Sequence, residues 1–295
     1  MITTESIKNL RERTGAGMLE CKKALVECNG DIDKACDWLR EKGIARAAKK
    51  ASRIAAEGLT TVVTEGNYAL ICEINSETDF VAKNEMFINF VNDVATAALK
   101  AKASTLEEAL NAPLNDGTVN DAIIANTATI GEKLSLRRID LLKKSDNDSF
   151  GSYLHMGGKI GAVCVLTNTN KSDVAKDVAM HIAASSPQYT NPSDIPAEEV
   201  EKELHIQSEA AKNDEKLKGK PEAALKKILE GKINKWKAEI SLVEQQFVKD
   251  PSLSVGKFVA QNGSSVTTFI RYAVGEGLQK REDNFAEEVM NQMGK

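Results

Sequence analysis

The sequence predicts an α+β protein with a three-helix N-terminal unit, a duplicated α+β core, a protruding antiparallel helical hairpin and a C-terminal helical module. Three observations predict it. A strand hairpin followed by an amphipathic helix occurs twice, about 90 residues apart. Two long, highly charged helical stretches interrupt the second unit. Short capped helix patterns fill the first 45 or so residues.

The elements follow in order. Thr3 or Thr4 can cap a first helix carrying Ile7 and Leu10, and Thr14-Gly15-Ala16-Gly17 is a turn. A second helix from about Met18 to Cys28 presents Leu19, Ala24, Leu25 and Cys28, and Asn29-Gly30 ends it. Asp31 caps a third, with Ile32, Ala35, Cys36, Trp38 and Leu39 inward and Gly43 as its expected stop. The alanine-rich basic stretch 44–58, with Arg46, Lys49, Lys50 and Arg53, reads as a solvated linker helix or as an anion-facing patch.

Thr60 to Thr64 and Tyr68 to Ile74 read as a hairpin around Glu65-Gly66-Asn67. Asn84 can cap a helix whose stripe is Phe87, Phe90, Val91, Val94 and Ala98. Helices near 104–111 and 118–129 and a strand at 134–142 complete this half. The second half repeats it. Tyr153 to Met156 and Ile160 to Leu166 form the strands, and Val174, Val178, Ile182 and Ala183 mark the helix. The run Ala162-Val163-Cys164 echoes Ala69-Leu70-Ile71-Cys72.

Residues 197–217 and 221–240 form the charged hairpin arm, which would hold a partner or a second copy of the chain as a homodimer. A helical stretch at 255–261, a strand at 266–274 and a tail helix at 283–293 follow. The expected divisions are 1–54 for the N-terminal unit and linker, 55–145 for the first core half, 146–186 with 241–270 for the second, 187–240 for the arm and 271–295 for the C-terminal module.

Composition narrows the function. At 295 residues the chain can bury a sizeable core. A net charge of -4 argues against a general nucleic-acid binder. The five cysteines are odd in number and make no C-x-x-C, which fits buried reduced thiols. The N-terminus shows no signal-peptide pattern and no run spans a membrane, so a cytoplasmic protein is expected. The three histidines, His155, His181 and His205, make no metal motif. No Gly-Lys pair has Walker spacing, and there is no nucleophile elbow or dinucleotide loop. No catalytic residue, metal, cofactor or direct nucleotide site is therefore expected.

The segment Thr78-Asp79-Phe80-Val81-Ala82-Lys83-Asn84 stands out. It places Phe80 and Val81 in the connection between a strand and the Phe87 helix. An aromatic there is either folded into the core, the commoner fate of a phenylalanine, or offered to a partner.

That segment is one of several that carry a resemblance. Others are Leu10-Arg11-Glu12-Arg13-Thr14-Gly15-Ala16-Gly17-Met18 and Cys21-Lys22-Lys23-Ala24-Leu25. Ile130-Gly131-Glu132, Lys159-Ile160-Gly161, His181-Ile182-Ala183-Ala184, Phe269-Ile270-Arg271 and Val274-Gly275-Glu276-Gly277 follow. In this order the chain resembles the bacterial elongation factor Ts family along nearly its whole length.

The resemblance implies a guanine nucleotide exchange factor that binds elongation factor Tu, both GDP-bound and nucleotide-free. It implies an N-terminal unit of the ubiquitin-associated type. Thr78, Asp79, Phe80 and Val81 would disturb the Mg²⁺ site of that GTPase, with Phe80 inserted between its helices. Arg11, Met18, Leu19, Lys22, Ile130, Gly131, His155 and Val248 would be further contacts. At the C-terminus the contact methionine is Met290 or Met293, flanking Gln292. Met156-Gly157-Gly158 departs from the shorter family pattern after His155. The competing readings are an adaptor of the ubiquitin-associated type without exchange activity, resting on residues 1–45, and an RNA binder using the basic stretch.

Overall fold

Capping chemistry sets the three N-terminal helices of the computed structural model, which describes residues 2–169, 171–214, 217 and 221–279. Helix α1 (Thr4–Thr14) opens on a capping box between Thr3 and Ser6 and closes on Gly15 at φ 67°. Helix α2 (Met18–Glu27) follows, and Asp31 caps α3 (Ile32–Lys50). Leu10, Cys21, Ala24, Leu25 and Ala35 meet in a small core, with Trp38 and Leu39 at its margin.

Leu19 stands outside that core, 83% exposed. One expectation fails here. Gly43 does not end α3, which continues unbroken into the basic stretch. Gly43 is buried, and a Cβ added there would lie 3.5 Å from the Ala128 Cβ. Its missing side chain lets a second helix approach, which is a packing role rather than a stop signal. Several basic residues are also engaged. Arg46 pairs with Glu20, Lys50 donates to the Gly131 carbonyl, and Arg53 reaches Glu77 at 3.2 Å. That stretch is a tether, neither a free linker nor an open anion patch.

The first sheet contains β1 (Glu57–Glu65) and β2 (Tyr68–Ser76). Then come α4 (Asp79–Ala82), α5 (Glu85–Lys100), α6 (Leu106–Leu110), the short β3 (Pro113–Leu114) and β4 (Gly117–Thr118), α7 (Val119–Ile130) and β5 (Ser135–Lys143). Its strand order is β1-β2-β5, antiparallel throughout. Leu70, Cys72 and Ile74 point from β2 into the core built on Phe87, Phe90, Val91 and Val94 of α5.

The second sheet uses β6 (Ser149–His155), β7 (Ile160–Leu166) and, after α8 (Ser172–Ser185), a much later strand. In between lie the arm helices α9 (Ala197–Asn213) and α10 (Glu222–Ile240), then β8 (Gln246–Phe247), β9 (Asp250–Ser254) and α11 (Val255–Gln261). Strand β10 (Val266–Ala273) then pairs with β7, giving the order β10-β7-β6. Both sheets therefore place the second hairpin strand in the middle, flanked by its hairpin mate and a later strand. Ala162, Cys164 and Leu166 face Val174, Val178 and Ile182 of α8.

The opposite sheet faces meet each other. Ala69 and Ile71 of β2 pack with Val163 of β7 and Tyr272 of β10. Helices thus cover the outer faces and the two sheets share an inner layer. That explains why both central strands are apolar on alternate and intervening positions alike. The arm leaves and returns at one place, because Ile240 O accepts from the Gln188 and Tyr189 amides and Tyr189 O accepts from Leu242.

One polar cluster lies inside this assembly. Glu73 is fully buried and accepts from Arg137 at 3.0 Å, Arg138 at 2.6 Å, Asn75 at 3.0 Å and the Gly275 amide at 2.9 Å. Burial alone would raise its pKa, but the bonds from Gly275, Asn75 and the two arginines win, and the carboxylate stays below its ordinary range. This cluster ties β2, β5 and the turn after β10. Strand β10 runs across the division expected between 270 and 271. Met290, Met293 and the expected tail helix lie outside the described residues.

Candidate protein-contact site

The site is built on a helix of one turn. Strand β2 ends at Ser76, and Thr78 then caps α4 from an extended conformation, φ -125° and ψ 158°. Its Oγ accepts from the Val81 amide at 3.4 Å. Four residues of helix have no stability of their own, so the turn depends on external anchors. Thr78 supplies the main one: its amide donates to Glu132 at 3.0 Å and its hydroxyl donates to the other Glu132 oxygen at 2.6 Å. The Ser76 hydroxyl donates to the Thr78 carbonyl at 2.9 Å. Below, Ala82 is buried and Val81 packs on the core of the first sheet.

This mounting decides the fate of Phe80. Of the two fates open to an aromatic in this connection, Phe80 takes the outward one: it is 81% exposed. A single turn has one inward face, and Val81 and Ala82 fill it. The core position goes to Phe87, which is fully buried. Asp79 accepts from Lys83 at 2.6 Å. That bond, aided by the charges of Lys83 and Lys159, holds the Asp79 carboxyl below the usual range.

The ground under Thr78 extends to two other elements. Gly131 closes α7 in the left-handed region at φ 88°, which turns the chain so that Glu132 faces Thr78. Glu77 accepts from the Lys133 amide at 2.6 Å and from Arg53. The Lys133 ammonium donates to the Ala51 and Arg53 carbonyls at 2.7 and 2.9 Å. The end of α3, the end of α7 and α4 are therefore one hydrogen-bonded block. Ile130 packs partly buried against the core and Gly131 is exposed. Glu77, Glu132 and Lys133 had no role assigned from sequence, and Arg53 was read only as part of the basic stretch. Nothing local to Thr78 signals an acceptor so far along the chain.

His155 stands exposed at the end of β6, its ring 6.1 Å from that of Tyr153. The extra-long loop after it is a 3-10 turn, Met156–Gly158. This turn packs on β1, as α4 does. Arg11, Met18, Leu19 and Lys22 are all exposed, at the end of α1 and on the first turns of α2. Val26, also exposed, continues the Leu19 face about two turns along.

Val248 is exposed beside the second core, and its backbone is held by His181. The Val248 amide donates to His181 Nδ1 at 3.2 Å, so Nε2 carries the proton and donates to Gln245 Oε1 at 2.9 Å. Gln245 in turn donates to the Glu239 carbonyl near the end of α10 at 2.7 Å. Burial lowers the His181 pKa, with Gln245 opposing. His181 is thus a support for Val248, a role invisible in a sequence where it looks like an ordinary helix residue.

No group of three or more His, Cys, Asp or Glu residues among the described residues could hold a metal ion. All five cysteines are free, and burial pushes Cys72 and Cys164 up to about 12. No described helix is long and apolar enough to cross a membrane.

The span from the Phe80 turn to the loop after β10 is that of a translation elongation factor. The elongation factor TS family model matches residues 77–276, and the chain belongs to that family. The matched span includes Thr78 to Val81, Ile130, Gly131, His155 and Val248. Arg11, Met18, Leu19 and Lys22 precede it, and Met290 and Met293 follow it.

Proposed function

We propose that this protein is a guanine nucleotide exchange factor: it binds elongation factor Tu in the cytoplasm and promotes GDP release so that GTP can enter during translation elongation. The observation that carries the reading is the exposure of Phe80 on a turn clamped by Glu132. A rigid aromatic with few rotors to freeze suits insertion into a partner. In this reading Thr78, Asp79, Phe80 and Val81 act on the region around the GTPase's Mg²⁺ and phosphates. Mg²⁺ bridges phosphate oxygens and neutralises their charge, so moving its supporting shell loosens the nucleotide.

The mechanism needs no covalent step and no catalytic residue in this chain. Exchange factor and GDP bind with negative coupling, and the coupling is reciprocal. Turning a 1:99 population into 99:1 takes about 5.5 kcal/mol of differential affinity. Truncating Phe80 removes about 2–4 kcal/mol if it is a hot spot. The remainder falls to Arg11, Met18, Leu19, Lys22, Ile130, Gly131, His155, Val248 and the C-terminal Met290 and Met293.

The test is the dissociation rate of fluorescent GDP from elongation factor Tu in a stopped-flow mixer. Wild type accelerates release strongly and Phe80→Ala much less. Acceleration indifferent to Phe80→Ala moves the mechanism to the other contacts. No acceleration by folded wild type at saturation overturns the reading and favours an adaptor using the exposed α2 face.

A further inference from the structure

Leu19, Phe80 and Met156 are the three most exposed large apolar side chains among the described residues, at 83%, 81% and 72%. The first two have a place in the proposed contact; Met156 has none. A single exposed apolar residue is ordinary. Met156 carries a second, independent cost in its backbone.

Its φ is 51°, in the left-handed region that side chains other than glycine rarely enter. Six non-glycine residues among the described ones do so: Asn29, Lys102, Asn115, Met156, Asn168 and Ser186. Met156 alone is apolar. Asparagine relieves this conformation by bonding to its own backbone, which a thioether cannot do. The turn enforces the conformation from beneath. Gly157 and Gly158 follow at φ 66° and 98°, and the Gly158 carbonyl accepts from the Thr60 hydroxyl at 2.9 Å. A Cβ at Gly158 would stand 2.8 Å from the Thr60 carbonyl oxygen, so the turn sits flat on β1.

The same strand carries the Phe80 turn, since α4 also packs on β1. Leu59 of β1 belongs to the core that Ala82 joins, and it also lies under Gly158. Lys159, the next residue, pairs with Glu57 at 2.6 Å and adds its charge to the field at Asp79. The two exposed apolar side chains thus share one foundation.

We infer that Met156 is a second apolar contact to elongation factor Tu, carried on the same strand as the Phe80 turn, and that it sets affinity for the partner rather than the rate of nucleotide release. The inference rests on the exchange reading. Phe80 is a stiff wedge, whereas an unbranched thioether adapts to an irregular surface. A contact made equally in the GDP-bound and nucleotide-free states tightens binding without shifting the equilibrium between them.

The test uses the full chain with Met156→Gly and Met156→Asn, both of which accept a positive φ and keep the turn. Fluorescent GDP release from elongation factor Tu is followed against exchange-factor concentration, with Phe80→Ala beside them. The half-saturating concentration rises about fivefold or more for both Met156 variants, the change expected when an interface side chain worth about 1 kcal/mol is truncated. Their maximal rate holds, and their melting temperature is equal or higher. Met156 variants that match wild type while Phe80→Ala is impaired overturn the contact and leave the exchange reading standing. A reduced maximal rate at unchanged half-saturation also overturns it. A folded wild type that does not accelerate release overturns both.

Discussion

Thr78 donates its amide and its hydroxyl to the two oxygens of Glu132, at 3.0 and 2.6 Å, across 54 positions of chain. This bidentate bond converts a four-residue turn into a fixed mount for Phe80. It also couples the Phe80 turn to the end of α7, because Glu132 directly follows the left-handed Gly131.

Removing the mount while leaving the wedge separates position from presence. Glu132→Ala strands the two Thr78 donors in a part-buried site, which costs about 1–3 kcal/mol. Denaturant unfolding measures that loss. The same variant should weaken GDP release although Phe80 is intact. Full exchange activity in Glu132→Ala would show that the clamp does not position the wedge.

Phe80 and Phe87 lie seven positions apart and should respond oppositely. Phe80→Ala removes a side chain that touches little of this protein, so stability changes by about 0.5 kcal/mol or less. Phe87→Ala opens the core beneath β2 and costs about 3–5 kcal/mol. A large loss in Phe80→Ala would mean that the ring is packed in solution.

Glu73 joins two sheets through four donors, so its loss leaves both arginines short of a partner. Glu73→Ala should destabilise by about 3 kcal/mol, the low end for a buried pair, because Arg137 and Arg138 keep some contact with water. Its carboxylate is depressed in the fold, so this contribution is present above the unfolded pKa and is lost as acid protonates it. Unfolding midpoints should therefore fall more for wild type than for the variant as pH drops below the ordinary glutamate value of 4.5.

His181 titrates in a different window. Its folded pKa lies below the ordinary 6.5, so the unfolded chain binds the proton more tightly. Stability from this group is complete above pH 6.5 and declines as pH falls below it. Protonation also turns Nδ1 into a donor facing the Val248 amide. A melting temperature that is flat between about pH 7 and 5.5, or identical in slope for His181→Gln, would remove this assignment.

Local chemistry was legible wherever an element is defined by its own residues. Asp31 and Asn84 cap the helices expected of them, and Val255–Gln261 forms the helix its pattern announces. The Phe87 stripe points inward as its spacing requires. The near-continuous apolar runs of β2 and β7, each set off from a neighbouring run by a glycine-bearing turn, also identified both hairpins. The short pairs β3–β4 and β8–β9 were not legible, because the two-residue strands β3, β4 and β8 have no periodicity and β9 carries a proline and a single large apolar residue.

The sequence by itself determined the helices, the hairpins, their repetition and the apolar faces long enough to show a period. Tertiary structure alone decided which way single residues on short elements point. Leu19 and Phe80 could each have faced either way on sequence alone, one an apolar residue on a helix and the other an aromatic near a core. Each is displaced outward by neighbours that already fill the space, Leu25 and Ala24 in one case and Val81 and Ala82 in the other. Gly43 looked like a stop because glycine is a poor helix former, yet Ala128 uses the gap it leaves. The anchors of the site, Thr78 to Glu132, Lys50 to Gly131 and Val248 to His181, span 54, 81 and 67 positions. Periodicity and capping act within a few residues, so only the folded chain brings such partners together.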